Sequence, residues 1–229
     1  ALLENTTKNC TFNEKLTRYK VFLKWCYAND LIELPWFDKL LPLPDNHKER
    51  IKDKYLEPDE LKTQLEELKL PQWYYATYFL VLSGLRVGEL IALEDKDIDD
   101  QYIHVTKTYS QTTNKVGPTK TDGSTRDVYI QDELRPLIRK IRLFQREYKF
   151  ERAIKSDLFI CSPKGDYMNY NSFRQYLHDH SLKSLGRLVT PHTLRHTCAS
   201  ILFAQGVPLD VVSRRLGHDD SDVTKDIYI

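Results

Sequence analysis

Thr190-Pro191-His192-Thr193-Leu194-Arg195-His196 marks a helix start that carries basic side chains. Threonine followed by proline is a helix start. The hydroxyl accepts from a first-turn N–H, and proline takes the position where a missing N–H costs nothing. The helix that follows places His192 and Arg195 three residues apart on one face. Leu194, Cys198, Ile201 and Leu202 line another face, toward a core. Gly206 ends this helix and Pro208 opens the next, whose expected buried side is Val211, Val212 and Leu216 and whose stop is Gly217. His218 therefore emerges directly after a helix end, on a fixed support.

Upstream, the pattern is again mostly helical. Apolar residues at helical spacing, Leu16, Tyr19, Val21, Phe22, Trp25 and Cys26, predict a helix over 13–29. Residues 41–54 carry Pro42, Pro44, Asp45 and Asn46 and read as a linker. A new domain opens near Tyr55, with Pro58 at a helix start. A second helix follows Pro71 and is broken by Ser83-Gly84, and a short one spans Val87–Leu93. One β region is convincing: Tyr102, Ile103 and Val105 begin it, Gly117-Pro118 and Asp122-Gly123 read as turns, and Val128 and Ile130 alternate in a closing strand. From Glu133 the chain returns to helix. The expected class is α+β, mainly helical, with a small β-hairpin sheet. The expected domains are a partial helical domain at 1–44 whose N-terminal part is absent, a linker at 45–54 and a larger domain at 55–229.

Composition narrows the function classes. No run approaches eighteen apolar residues, so no membrane span is expected. Four cysteines (Cys10, Cys26, Cys161, Cys198) are scattered with no C-x-x-C pair, which predicts reduced cytosolic thiols rather than a disulfide frame or zinc site. The net charge of +1 gives little support to nucleic-acid binding. Over 181–218, however, Lys183, Arg187, Arg195, Arg214 and Arg215 stand against Asp210 alone, which predicts a locally positive face.

The chemistry-bearing residues form an ordered set. Arg86 lies in Ser83-Gly84-Leu85-Arg86-Val87-Gly88-Glu89-Leu90, His192 and Arg195 in the stretch quoted first, His218 in Leu216-Gly217-His218, and Tyr228 ten residues further on. Two guanidinium forks suit the nonbridging oxygens of a phosphodiester. A phenol ionises poorly near neutral pH, and a cationic pocket helps it do so.

This set resembles the tyrosine recombinase, or phage-type integrase, family. The L-R-x-G-E-L, H-x-L-R-H-[ST] and L-G-H blocks match as written, and the similarity spans 55–228. Pro118-Thr119-Lys120-Thr121 to Val128 resembles that family's β-hairpin with its catalytic Lys120. The opening helices are similar to the end of its core-binding domain. The interval from His218 to Tyr228 is ten residues, one more than most of that family has. The resemblance implies a site-specific DNA recombinase. Tyr228 attacks a DNA phosphate to give a 3′-phosphotyrosyl bond. Arg86, Arg195 and His218 hold the phosphate, Lys120 protonates the leaving oxygen, and His192 takes the tyrosine proton or holds the phosphate. It implies no cofactor and no metal. It implies double-stranded DNA as partner, a C-shaped clamp and a homo-tetramer on two sites, with accessory DNA-bending or excisionase proteins. The style of the domain points to an integrase of a phage or other mobile element; an Xer-like chromosome or plasmid resolvase is the alternative.

Blander readings stand beside each of these. Taken alone, Arg86 bridges Glu89 or Glu94, Lys120 is a solvated hairpin lysine, and Tyr228 is one of 14 tyrosines. Glu89 reads as structural, holding the Arg86 turn. A zinc hydrolase using His192, His196 and His218 is a remote rival, because Thr193 stands where a glutamate base belongs and Arg195 beside it opposes a cation. A DNA-binding module without catalysis is another.

Overall fold

The computed structural model describes residues 9–44, 54–119 and 122–217. The chain divides into two compact units, Ala1–Ile51 and Lys52–Ile229. No described helix is long and apolar enough to cross a membrane.

In the first unit, helix α1 spans Asn9–Ala28. The chain then turns at Asp30, whose φ is +56°, and passes through a 3₁₀ turn at Trp36–Lys39. The returning segment is tied to α1 by a two-way bond: the Asn13 amide donates to the Leu43 carbonyl, and its oxygen accepts from the Leu43 N–H, both at 2.8 Å. Cys26 and Phe37 are buried, with Tyr27 edge-on to Phe37. The apolar residues that predict this helix are largely outward: Tyr19, Val21, Phe22 and Trp25 are 66%, 64%, 58% and 56% exposed.

The second unit is built around α3 (Pro71–Ser83). Its sequence is apolar on all sides, and Ala76, Phe79, Leu80 and Val81 are fully buried. It packs against α7 (Pro191–Ala204) and against α5 (Leu134–Glu151). Helix α2 (Pro58–Glu67) has proline in its first turn, a reciprocal Glu57–Glu60 cap, and packs on α6 (Tyr170–Leu185). Helix α5 is the amphipathic one: Leu134, Leu137, Ile138 and Ile141 face inward. Short α4 (Val87–Ala92) and α8 (Leu209–Leu216) complete the helices that bear on the site. In α8, Val212 and Leu216 are buried as expected, but Val211 is 41% exposed. An eight-residue helix buries one stripe, and Val212 rather than its neighbour lies on it.

Two antiparallel pairs make up the β region. Strand β1 (Tyr102–Val105) pairs with β4 (Arg126–Tyr129), setting Ile103 against Val128. Strand β2 (Lys107–Ser110) pairs with β3 (Lys115–Pro118). Gly117-Pro118, expected to be a turn, lies in β3 opposite Thr108 and Lys107. The turn falls earlier, at 111–114, where Asn114 takes a φ of +53°. Pro118 sits at the strand's last position, where a missing N–H is tolerated. Asp122-Gly123 does lie in a 3₁₀ turn, as its sequence predicts.

Candidate active site

Arg195 is held by the local chemistry of α7. Thr190 caps the helix by accepting from the Thr193 N–H, and Pro191 is in the first turn. The Arg195 side chain then points into the molecule, where the residue is only 5% exposed. One terminal nitrogen donates to the Gly84 carbonyl at 2.8 Å and the other to the Leu216 carbonyl. Gly84 ends α3 with a φ of +72°. A Cβ there would lie 2.9 Å from Leu216 Cδ2 and 3.0 Å from Cys198 Sγ, so only glycine brings that carbonyl to the arginine.

Arg86 begins α4. Its N–H donates to Glu89 Oε2 at 2.8 Å, its Nη1 to Glu89 Oε1 at 2.9 Å, and its Nη2 to the Gly217 carbonyl at 2.8 Å. The side chain is 36% exposed, whereas the Glu89 side chain is 1% exposed. A buried carboxylate needs partners, and Arg126 supplies more, with Nη1 and Nη2 at 3.0 and 2.9 Å from the two Glu89 oxygens. Burial pushes the Glu89 carboxyl up; hydrogen bonding and charge from Arg126, then the Arg86 N–H and charge, outweigh it and hold the group below the ordinary range.

A second feature ties the arginines together. Arg126 Nε donates to the Arg215 carbonyl at 2.7 Å. Thus the carbonyls of Arg215, Leu216 and Gly217, at the end of α8, accept from Arg126, Arg195 and Arg86 in turn. The last carbonyls of a helix have no intrahelical donor and carry its partial negative charge. Three guanidinium groups satisfy them. Peptide dipoles orient Arg195 without cancelling its charge, as a carboxylate would.

His192 stands on α7 one turn before Arg195. The residue is exposed, yet neighbouring atoms still partly desolvate the ring. That desolvation, then the Arg195 and Arg86 charges, lowers its pKa, so it is neutral at pH 7. Arg195 is pushed down to about 9 by burial first and Arg86 second, and remains a cation at neutral pH. Arg86 and Arg195 reach the adjacent carbonyls of Gly217 and Leu216, and His192 stands one turn along α7 from Arg195. Such a site favours an anion with oxygens in several directions, and offers a neutral imidazole to accept a proton.

Of the six residues singled out from sequence, the fold thus brings Arg86, His192 and Arg195 together. Lys120, His218 and Tyr228 lie outside the described residues. His196 is depressed to about 4 by burial first, then by His192, Lys54 and Arg195. The expected positive face over 181–218 is largely paired away. Lys183 meets Glu67 at 2.6 Å, Arg187 meets Glu60 at 2.6 Å and Arg214 meets Asp210 at 2.8 Å. Arg215 turns inward, donating to the Tyr129 and Leu82 carbonyls. Sequence reasoning missed Arg126. Its signal was present: Glu89, the one charged residue in the otherwise uncharged Val87–Ala92 helix, called for a cation besides Arg86.

The phage integrase family model matches residues 54–229. The chain belongs to the phage integrase family. Among its relatives, the ICEBs1 integrase of Bacillus subtilis is 26% identical over 235 residues, covering 99% of this chain and 63% of that protein. A XerC-like tyrosine recombinase of Caldanaerobacter subterraneus is 29% identical over 229 residues, covering 88% and 58%. This integrase-family chain therefore spans only 58–63% of the length of these two relatives. A solved structure of the Tn1549 transposon integrase, in complex with transposon right end DNA, superposes with a TM-score of 0.74 at 20% identity, covering 99% of this chain and 76% of that one. That likeness establishes the tyrosine-recombinase fold expected from sequence.

Proposed function

We propose that this chain carries the strand-transfer chemistry of a site-specific DNA recombinase, an integrase of a phage or other mobile element. Arg86 and Arg195 carry the reading: they come from different helices, stand beside a neutral His192, and are oriented largely by carbonyls. Phosphoryl transfer calls for charge stabilisation and in-line positioning. Arg86 and Arg195 bind the nonbridging oxygens and stabilise the charge that builds there. The Tyr228 oxygen forms a bond to phosphorus while the bond to the DNA 5′-oxygen breaks. The tyrosine proton passes to His192 or solvent, and Lys120 gives a proton to the leaving oxygen. His218 adds a hydrogen bond to the phosphate. The reverse attack by a 5′-hydroxyl restores the DNA. The phosphotyrosyl bond conserves the energy of the broken diester, so the step is balanced without a further reactant. Similarity to the ICEBs1 integrase supports the mobile-element reading, and similarity to the XerC-like recombinase keeps an Xer-type resolvase as its rival. Assembly as a tetramer on two duplex sites extends it.

The test is a nicked duplex carrying the element's end, whose cleavage releases a short strand that cannot religate. The expected result is a covalent protein–DNA adduct that Tyr228→Phe abolishes. DNA binding with no adduct overturns the enzyme reading. Adduct formation persisting in Tyr228→Phe removes that tyrosine from the role. Recombination between element ends and a target site separates integrase from resolvase, which acts on paired identical sites.

A further inference from the structure

We propose that Arg126 is a positioning residue for the phosphate-binding pair, acting through Glu89 and the end of α8. The inference rests on the recombinase reading and goes beyond it. Arg126 opens β4, across from Val105, and its side chain is 7% exposed. Its guanidinium makes four hydrogen bonds: Nε to the Arg215 carbonyl, Nη1 to Glu89 Oε1 and the Ser124 carbonyl, and Nη2 to Glu89 Oε2, at 2.7, 3.0, 3.0 and 2.9 Å. One fork therefore joins the strand, α4 and α8.

Two consequences follow for Arg86. The first is geometric. Arg86 leans on Glu89 and on the Gly217 carbonyl; Arg126 bonds Glu89 directly and the Arg215 carbonyl two residues before Gly217. The stem of Arg126 lies against Gly217, where a Cβ would meet its Nη1 at 3.0 Å and its Cδ at 3.1 Å. The second is electrostatic. Arg86, Glu89 and Arg126 together carry a net charge of one positive unit. Arg126 makes the two-pronged contact with the carboxylate, so the Arg86 charge remains available to an incoming phosphate. Without Arg126, buried Glu89 would turn to Arg86 alone, and the phosphate would meet a neutralised pair. Burying an ion triad is a poor way to gain stability; its placement beside the arginines that bind phosphate gives it a different use.

This predicts a rescue that a merely structural role does not. Single-turnover cleavage of the nicked duplex is measured at saturating full-length protein, with DNA affinity and thermal unfolding recorded for each variant. Arg126→Met is expected to lower the cleavage rate constant by about 10–100-fold while DNA affinity at fixed salt stays near wild type. Adding Glu89→Gln removes the stranded carboxylate and is expected to recover part of that loss. Arg126→Lys keeps the charge, loses the fork, and should fall between Arg126→Met and wild type; it also serves if Arg126→Met does not melt cooperatively. Wild-type cleavage in Arg126→Met or in Arg126→Lys overturns the proposal, as does a double variant no faster than Arg126→Met. Absence of adduct in the wild-type protein is a separate outcome, and overturns the recombinase reading itself.

Discussion

At the scale of single residues, the two arginines of the site divide between exposure and burial, and this separates their contributions. Arg195 is 5% exposed and satisfies two carbonyls that water does not reach. Arg195→Ala leaves both without a donor and is expected to cost about 3 kcal/mol, since each unsatisfied buried group costs on the order of 1–3 kcal/mol. Arg86 is more open, and Arg126 continues to hold Glu89 without it. Arg86→Ala is expected to cost about 1 kcal/mol. Both changes should lower DNA cleavage roughly 10²–10³-fold, the scale of losing one donor to a developing charge. Urea unfolding and single-turnover cleavage, measured on the same preparations, check this. Equal stability losses for the two variants would contradict the assignment of Arg195 as the interior anchor.

At the scale of elements, the site is an arrangement of helix ends. The C-terminus of α3 supplies the Gly84 carbonyl, the N-terminus of α4 supplies Arg86, and the C-terminus of α8 supplies three carbonyls. Gly84→Ala tests this organisation. The substitution forces a left-handed φ on alanine and drives its methyl against Leu216 and Cys198. The expected cost is about 1–3 kcal/mol, with reduced cleavage because the Arg195 anchor shifts; unchanged thermal unfolding would show that α3 can end otherwise. What the sequence disclosed follows the same division. Thr190-Pro191, Gly84 and Gly217 mark helix ends through local backbone chemistry, and the elements formed where those residues predict. The clasp at α8 was not legible, because Arg195 and Gly84 lie 111 residues apart and Arg126 and Arg215 lie 89 apart. Periodicity carries no information at that range. Gly117-Pro118 misled for the converse reason: a turn-forming pair was taken into a strand once the true turn at Asn114 set the register.

At the scale of the whole molecule, the half-buried imidazole of His196 sets the response to acid. His196 titrates at about 4 in the folded chain, against about 6.5 for an unperturbed histidine. Its folded pKa is depressed, so the unfolded chain takes up a proton first as pH falls. Stability therefore rises with pH across roughly 4 to 6.5 and is level above. His192, also depressed, acts in the same direction, but the residue is exposed and solvent screens its share. Glu89 and Glu60 are held low by arginines, so the stability they contribute above the normal carboxylate pKa is lost as pH falls through their folded values. His104 opposes these terms. Bonded to Asp127 and Asp99, it is raised, and its contribution is complete below about 6.5 and lost as pH rises through its folded pKa. But its side chain is 39% exposed, and solvent screens that gain. His196, the least exposed of the three, wins. The expected unfolding free energy is lower at pH 5 than at pH 7.5 by about 1–2 kcal/mol, and His196→Asn should remove much of the difference. Chemical denaturation at the two pH values measures it. A stability that rose on acidification would mean that His104, and not the interior of α7, governs the balance.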